Sequence, residues 1–246
     1  MEDFIFSGPF GPVECIIEKY RGQGECPATL VMCHGFRGSR ESGGRAVLVA
    51  REASRFCDVV RWNFTGTQIL SKWRQELAAV LAEVKKRAPG RKLFVLGRSL
   101  GGACAFVTTA ADKDVDGLIL WAAPSDLRGT FRHVMGDADY ARLDAGEAVH
   151  YDDERGVCDV DPAFLTDFDK YDFAALWQRR QPKPVLLLHC KGDDVVLYSQ
   201  ALRNEQLARQ AGAECELHLF EGGDHSFTEY SEAAGRLLAD WLGRQL

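Results

Sequence analysis

Apolar runs of strand length alternate along the chain with longer stretches of helical period. Short apolar segments predict strands at Glu14–Lys19, Thr29–Cys33, Val59–Phe64, Lys92–Gly97, Leu118–Ala122, Val185–His189 and Glu214–Phe220. Between them the periodicity predicts helices near Gly44–Phe56, Ser71–Arg87, Leu100–Ala111, Ser199–Ala211 and Glu229–Leu246. In the second of these, Leu77, Val80, Leu81 and Val84 fall at i, i+3, i+4 and i+7, which places them on one face that can lie against a sheet. Strands that are apolar almost without interruption, alternating with helices, predict an α/β architecture: a mostly parallel sheet with helices on both faces.

One segment breaks the alternation. Pro124 to Gln181 shows no strand pattern and is dense in aspartate. From Asp126 to Arg180 it holds 13 acidic and 7 basic residues, a balance of −6 that equals the net charge of the whole chain. Aromatic residues are concentrated there as well, from Phe131 to Trp177. An acidic surface over an apolar underside fits a small helical cap above a pocket, and it fits equally an insert whose aromatics only fasten it to the main domain. The expected organisation is one domain over residues 1–246 with a cap insertion at 124–181.

Composition narrows the setting. With 246 residues, 46% hydrophobic and 27% charged, the chain has ordinary globular values and enough length for one sizeable α/β domain. No apolar stretch approaches the roughly 18 residues that cross a bilayer. The N-terminal MEDFIFSGPFGP lacks the basic region and apolar core of an export signal, so a cytoplasmic protein without membrane attachment is expected. Eight cysteines are spread from Cys15 to Cys215, several inside apolar runs, and read as reduced thiols. There is no C-x-x-C pair and no H-E-x-x-H, so nothing argues for a metal, and the acidic balance disfavours nucleic acid as a partner.

The chemistry begins at residues 93–106, LFVLGRSLGGACAF. An apolar strand stops at a serine fenced by glycines, and a helix-forming segment follows. A serine on such a corner is thrust out of the sheet while the helix aims its first N–H groups at the same spot; G-R-S-L-G thus matches the G-x-S-x-G nucleophile elbow, with Ser99 as nucleophile. A serine hydroxyl needs a base, and the base an orienting acid, in the chain order serine, acid, histidine. Among the histidines after the elbow, His225 in FEGGDHSF stands in a Gly-rich loop after a strand and is the candidate base; His218 lies inside that strand pattern. The segment PVLLLHCKGDDVV supplies Asp193 and Asp194 just past another strand, one as the acid and the other as a cap for the next helix. All three positions are carboxyl ends of strands, where sites gather in open parallel sheets. For the oxyanion, the backbone N–H of Leu100 follows the nucleophile, and LVMCHGFRGS provides a second donor at Phe36. His34 reads as a loop-stabilising residue.

Taken in order, HGF near residue 35, GRSLGG at 97–102, HCKGDDVV at 189–196 and GGDH at 222–225 resemble the alpha/beta-hydrolase superfamily across nearly the whole chain. In that family the penultimate strand commonly ends H-G-x-x-D-x-x-V with the aspartate as triad acid. Laid on His189 to Val196, this implies Asp193, with Cys190 where glycine is usual. Within the superfamily, the HGF loop, the insert after Trp121 and the length are similar to the cinnamoyl or feruloyl esterase-like carboxylesterases. Two departures stand out: WNFTGTQILS replaces the D-x-x-G-x-G-x-S loop of many relatives, and Arg98 stands where they often carry histidine. The resemblance implies a serine esterase of short acyl or hydroxycinnamoyl esters, with a small-molecule ester as partner and no cofactor. The triad does not choose the scissile bond, so a thioesterase, amidase or peptidase is the alternative, and a non-enzymatic ligand sensor the remote one. The sequence leaves room for a homodimer.

Overall fold

The structure is a computed structural model, and it describes every residue except Gly66, Thr67, Ala111 and Arg155. The chain opens with a hairpin, β1 (Phe4–Gly8) and β2 (Gly11–Glu18), then runs through β3 (Ala28–Cys33), α1 (Arg45–Ala53), β4 (Asp58–Trp62), α2 (Leu70–Arg87), β5 (Lys92–Arg98), α3 (Leu100–Thr109) and β6 (Gly117–Trp121). The insertion follows: α4 (Leu127–Asp144), β7 (Val149–Asp153), β8 (Gly156–Val160), α5 (Ala163–Phe168) and α6 (Phe173–Arg179). The chain then returns through β9 (Val185–Cys190), α7 (Ser199–Gln210), β10 (Cys215–Phe220) and α8 (Ser231–Gln245). The expected helix end at Ala111 and the centre of WNFTGTQILS lie outside the described residues.

Eight strands form one sheet in the order β1-β2-β4-β3-β5-β6-β9-β10, antiparallel at the β1, β2 and β4 edge and parallel from β4 onward. The alternation of side chains along a strand divides the core in two. Leu93 and Val95 of β5 face one cluster and Phe94 and Leu96 the other; Leu187 and Leu188 of β9 divide in the same way. The first cluster is covered by Trp73, Leu77 and Val80 of α2 and by α3; the second by Val49 of α1 and by Leu238 and Trp241 of α8. The strands are apolar on both faces because both faces are roofed, as the sequence pattern predicts. No helix among the described residues is long and apolar enough to cross a membrane.

Three strands were not expected. β1 pairs with β2 from Phe4↔Cys15 to Gly8↔Gly11. Inside the segment expected to lack strands, β7 and β8 form a separate two-stranded hairpin, anchored where buried Val149 pairs with buried Val160 and continued by the exposed pair His150↔Asp159. The insertion is therefore three helices and a hairpin. It docks on the main domain mainly through aromatics: Phe106 of α3 lies against Trp177 and Phe173 of α6, with ring centroids 4.4 and 5.2 Å apart. Asp167 of α5 adds a polar tie, accepting the Ser71 N–H and hydroxyl at 2.7 Å each and so satisfying the first turn of α2 from outside that helix.

Candidate active site

Ser99 stands on the corner between β5 and α3 with φ 54° and ψ −128°, a conformation that residues bearing a Cβ rarely adopt. The surroundings hold it there. Its N–H donates to the Trp121 carbonyl at 2.9 Å, and its carbonyl accepts the Gly102 and Ala103 N–H groups at 2.8 and 3.3 Å. Glycine is obligatory on both sides of the corner: a Cβ at Gly97 would lie 2.2 Å from the Gly101 carbonyl oxygen, and one at Gly101 would lie 2.1 Å from that of His34.

The loop after β3 lies directly on this corner. A Cβ at Gly35 would stand 2.9 Å from the Ser99 Cβ and 3.0 Å from the Arg98 carbonyl oxygen, so the absence of a side chain lets the Gly35–Phe36 backbone approach the serine. His34 locks the loop: Nδ1–H donates to the Gly35 carbonyl at 2.9 Å, and Nε2 accepts the Phe64 N–H at 3.0 Å. Burial pushes its pKa down, which favours this neutral form. Among the described residues the N–H groups of Phe36 and Leu100 meet no acceptor, and Leu100 begins the helix that follows Ser99.

His225, in the loop after β10, points Nδ1 at Asp193 Oδ2, 2.8 Å away. Asp193, 3% exposed, follows β9, and its other oxygen accepts the Val195 and Val196 N–H groups at 3.0 and 2.8 Å. Burial opposes the charge on Asp193, but hydrogen bonds from His189 and His225, the attraction of His225 and the Val196 N–H outweigh it and hold the carboxyl well below the usual range. For His225, burial lowers the pKa, the Asp193 bond opposes this and the Arg98 charge adds to the lowering. The ring is thus held toward its neutral, proton-accepting form.

His225 and Ser99 open on the same cleft, of about 780 Å³, which Gly35, Phe36, Arg98 and Phe131 also line. Among the described residues no hydrogen bond joins the serine hydroxyl to the imidazole, an arrangement common in sites without substrate. A larger cavity of about 920 Å³ lies alongside, between α4, α6 and α7; it shares Thr130, His133 and Val195 with the cleft but reaches neither Ser99 nor His225.

Asp194 does not act as the helix cap expected of the second aspartate. α7 begins only at Ser199, with Tyr198 at its N-cap position, and Asp194 instead offers its backbone carbonyl to His133 Nε2 at 2.7 Å. His218 pairs with Glu216 on β10, away from the cleft. Two supporting residues escaped the sequence reading. His189 sits four residues before Asp193 and donates Nε2–H to the Val196 carbonyl at 2.7 Å, with Asp193 Oδ2 3.3 Å away. Arg37, next to the oxyanion-loop candidate, grips Asp153 of the hairpin with both guanidinium nitrogens at 2.7 and 2.8 Å. The spacing H-x-x-x-D could have flagged the first; nothing local marks the second, whose partner is 116 residues away. All eight cysteines are unpaired, and burial pushes seven of the thiols up, Cys15, Cys190 and Cys215 to about 12, which makes them poor nucleophiles.

A serine on a strained strand-to-helix corner at the centre of a mostly parallel sheet, with an aspartate and a histidine brought together from the next strand ends, defines the architecture of an alpha/beta hydrolase. The profile of the alpha/beta hydrolase family matches residues 30–240, and the chain belongs to that family. Among solved structures the fold is similar to Est1E from Butyrivibrio proteoclasticus, with a TM-score of 0.84 and 17% identity over 100% of this chain and 99% of that one. It is also similar to XC6422 from Xanthomonas campestris, described as a serine hydrolase without lid (TM-score 0.71, 18% identity, 100% and 96% covered). A puromycin-hydrolysing peptidase of Mycobacterium tuberculosis matches over 100% of this chain and 39% of its own (TM-score 0.75, 19% identity). A comparison with curated sequences finds no match.

Proposed function

We propose that this protein is a serine carboxylic-ester hydrolase in which Ser99 is the nucleophile, His225 the general base and Asp193 its orienting acid. The observation that carries the reading is the 2.8 Å contact between His225 Nδ1 and a buried, charged Asp193, with His225 and Ser99 facing one cleft. Asp193 fixes the tautomer, so Nε2 is left as the acceptor toward the cleft. His225 takes the hydroxyl proton as Ser99 Oγ attacks the ester carbonyl. The negative charge on the carbonyl oxygen is met by the N–H groups of Phe36 and Leu100, each such donor being worth about 3–4 kcal/mol of barrier. His225 then protonates the leaving alcohol, and the acyl-enzyme forms. Water attacks in the same way and releases the acid.

The apolar side of the cleft favours an acyl group with an aromatic or aliphatic body. Phe36 and Phe131 meet edge to face, 5.3 Å between centroids, and both line the cleft. A structure of Est1E holds ferulic acid, which supports testing hydroxycinnamoyl esters beside short aliphatic ones. Eight unpaired cysteines fit a reducing, cytoplasmic setting. The test is turnover of p-nitrophenyl acetate, butyrate and octanoate and of methyl ferulate by the wild type and by Ser99→Ala. Ester cleavage that disappears in a folded Ser99→Ala variant is expected. Cleavage that persists in it overturns the assignment, and activity confined to thioesters or amides replaces the ester substrate while keeping the triad.

A further inference from the structure

Arg98 occupies the position between Gly97 and Ser99, the last residue of β5, in register with Trp121 of β6. Its guanidinium lies 5.9 Å from the Trp121 ring centroid, and its Nη2 donates to the backbone carbonyl of His225 at 3.0 Å. One side chain therefore joins the strand that carries the nucleophile to the loop that carries the histidine. That loop follows Gly222 and Gly223, both at positive φ (66° and 73°), and it is also fastened by the Gly192 N–H to the Gly222 carbonyl at 2.9 Å and by the buried ring of Phe227.

We propose that Arg98 is a positioning residue for His225: it ties the histidine loop to the elbow strand and sets a fixed positive charge beside the imidazole. The inference rests on the reading of Ser99 and His225 given above. Among the described residues the charges that act on the ring include Asp193 and His189, from β9 and the loop after it, and Arg98 from β5, while Asp194, His133, Arg37 and Arg45 line the same cleft. Asp193 stabilises the imidazolium; Arg98 destabilises it, as burial also does. Of the cleft's other cations, Arg37 is engaged by Asp153 and Arg45 hydrogen-bonds the Ser42 carbonyl and Thr228. The consequence has a definite sign. Without the Arg98 charge the pKa of His225 rises, a larger share of the enzyme is protonated at a given mildly acidic pH, and the acid limb of kcat/KM moves to higher pH.

The experiment is an NMR titration of the His225 ring in isotope-labelled full-length protein, for the wild type, Arg98→Met, Arg98→Gln and Arg98→Lys, alongside the pH profile of kcat/KM for a neutral ester. Met keeps an unbranched stem against Trp121 without the charge, so it reads the effect should Gln disturb the fold; Lys restores the charge. The expected result is a raised His225 pKa in the Met and Gln variants, a near-native value in Lys, and an acid limb that follows the titration while KM for the neutral ester holds. An unchanged His225 titration in a folded Met or Gln variant, or a shift in Lys as large as in Met, overturns the proposal. The titration needs no substrate, so absence of ester turnover in the wild type would fault the functional reading while Arg98 is still judged by NMR.

Discussion

At the Ser99 corner the closest contacts are made by backbone: Gly97 of β5 on the Gly101 carbonyl of α3, Gly101 on the His34 carbonyl, and Gly35 on the Arg98 carbonyl and the Ser99 Cβ, all so close that a methyl group would crowd its neighbours. The insertion at 124–181 is held by side chains instead. Phe131, Phe164 and Phe168 pack on one another with centroids 4.7 to 5.3 Å apart, Phe36 of the early loop joins them at 5.3 Å, and ion pairs such as Arg37–Asp153 work at the rim. Backbone contacts admit one arrangement or none. Side-chain contacts can be exchanged for others of similar volume and hold their place with graded strength. The corner suits chemistry that tolerates no displacement; the insertion suits a wall whose shape sets what fits the cleft. Phe36 belongs to both regions, since it lines the cleft beside Ser99 while its ring packs on Phe131 and Phe164 of the insertion.

The largest effect expected from breaking the rigid half is on turnover. Asp193→Asn keeps the size of a buried side chain that touches two backbone N–H groups and two histidines, but turns the useful tautomer of His225 around. It should lower kcat by about 10⁴-fold with KM little changed. Steady-state kinetics check this, and a loss below about tenfold would remove Asp193 from the triad. Asp193 is held well below the usual carboxylate range, so it stays charged where His225 takes up its proton.

Breaking the adaptable half should cost stability first. Phe164→Ala empties the middle of the aromatic cluster at a fully buried position and should cost about 3–5 kcal/mol in urea unfolding. A loss below about 1 kcal/mol would show that the insertion is fastened by something other than its aromatics. The smallest effect belongs to the rim. Asp153 is 44% exposed, so Asp153→Asn should change stability by less than about 1 kcal/mol while loosening the hairpin over the early loop. A rise in KM with kcat nearly constant is expected; an unchanged KM would detach the hairpin from substrate binding.

The same division explains what was legible in the sequence. The seven strands read from apolar runs are present: six are parallel strands of the sheet, whose apolar runs leave a strong local pattern, and β2, at the antiparallel edge, has an apolar side made of Val13, Cys15 and Ile17. Ser99, Asp193, His225 and the Phe36 loop stand where strands end in glycine-rich turns. β1 was missed because only Phe4 of FIFSG is buried while Ile5 is exposed, so the run carries a surface pattern at the sheet edge. The β7–β8 hairpin was missed because VHYDD carries three polar residues in five and GVCDV leaves Val157 exposed, so neither shows a buried face along its length, and the pair is fixed by cross-strand pairing and the Arg37 grip. α4 hides its period behind Gly136, which takes φ 78° inside it. Arg37 gains its role only from a partner that the fold brings close, whereas the partners of His189 are local, four and seven residues along the chain.

The central claim is that Ser99 is an activated nucleophile, and the most direct measurement is reaction with a fluorophosphonate followed by intact-mass and peptide mapping. The account predicts one adduct per chain, on the peptide bearing Ser99, formed fast in the wild type, slowed strongly in Asp193→Asn and absent in Ser99→Ala. An adduct on another residue, or equal labelling of the Ser99→Ala protein, would contradict it.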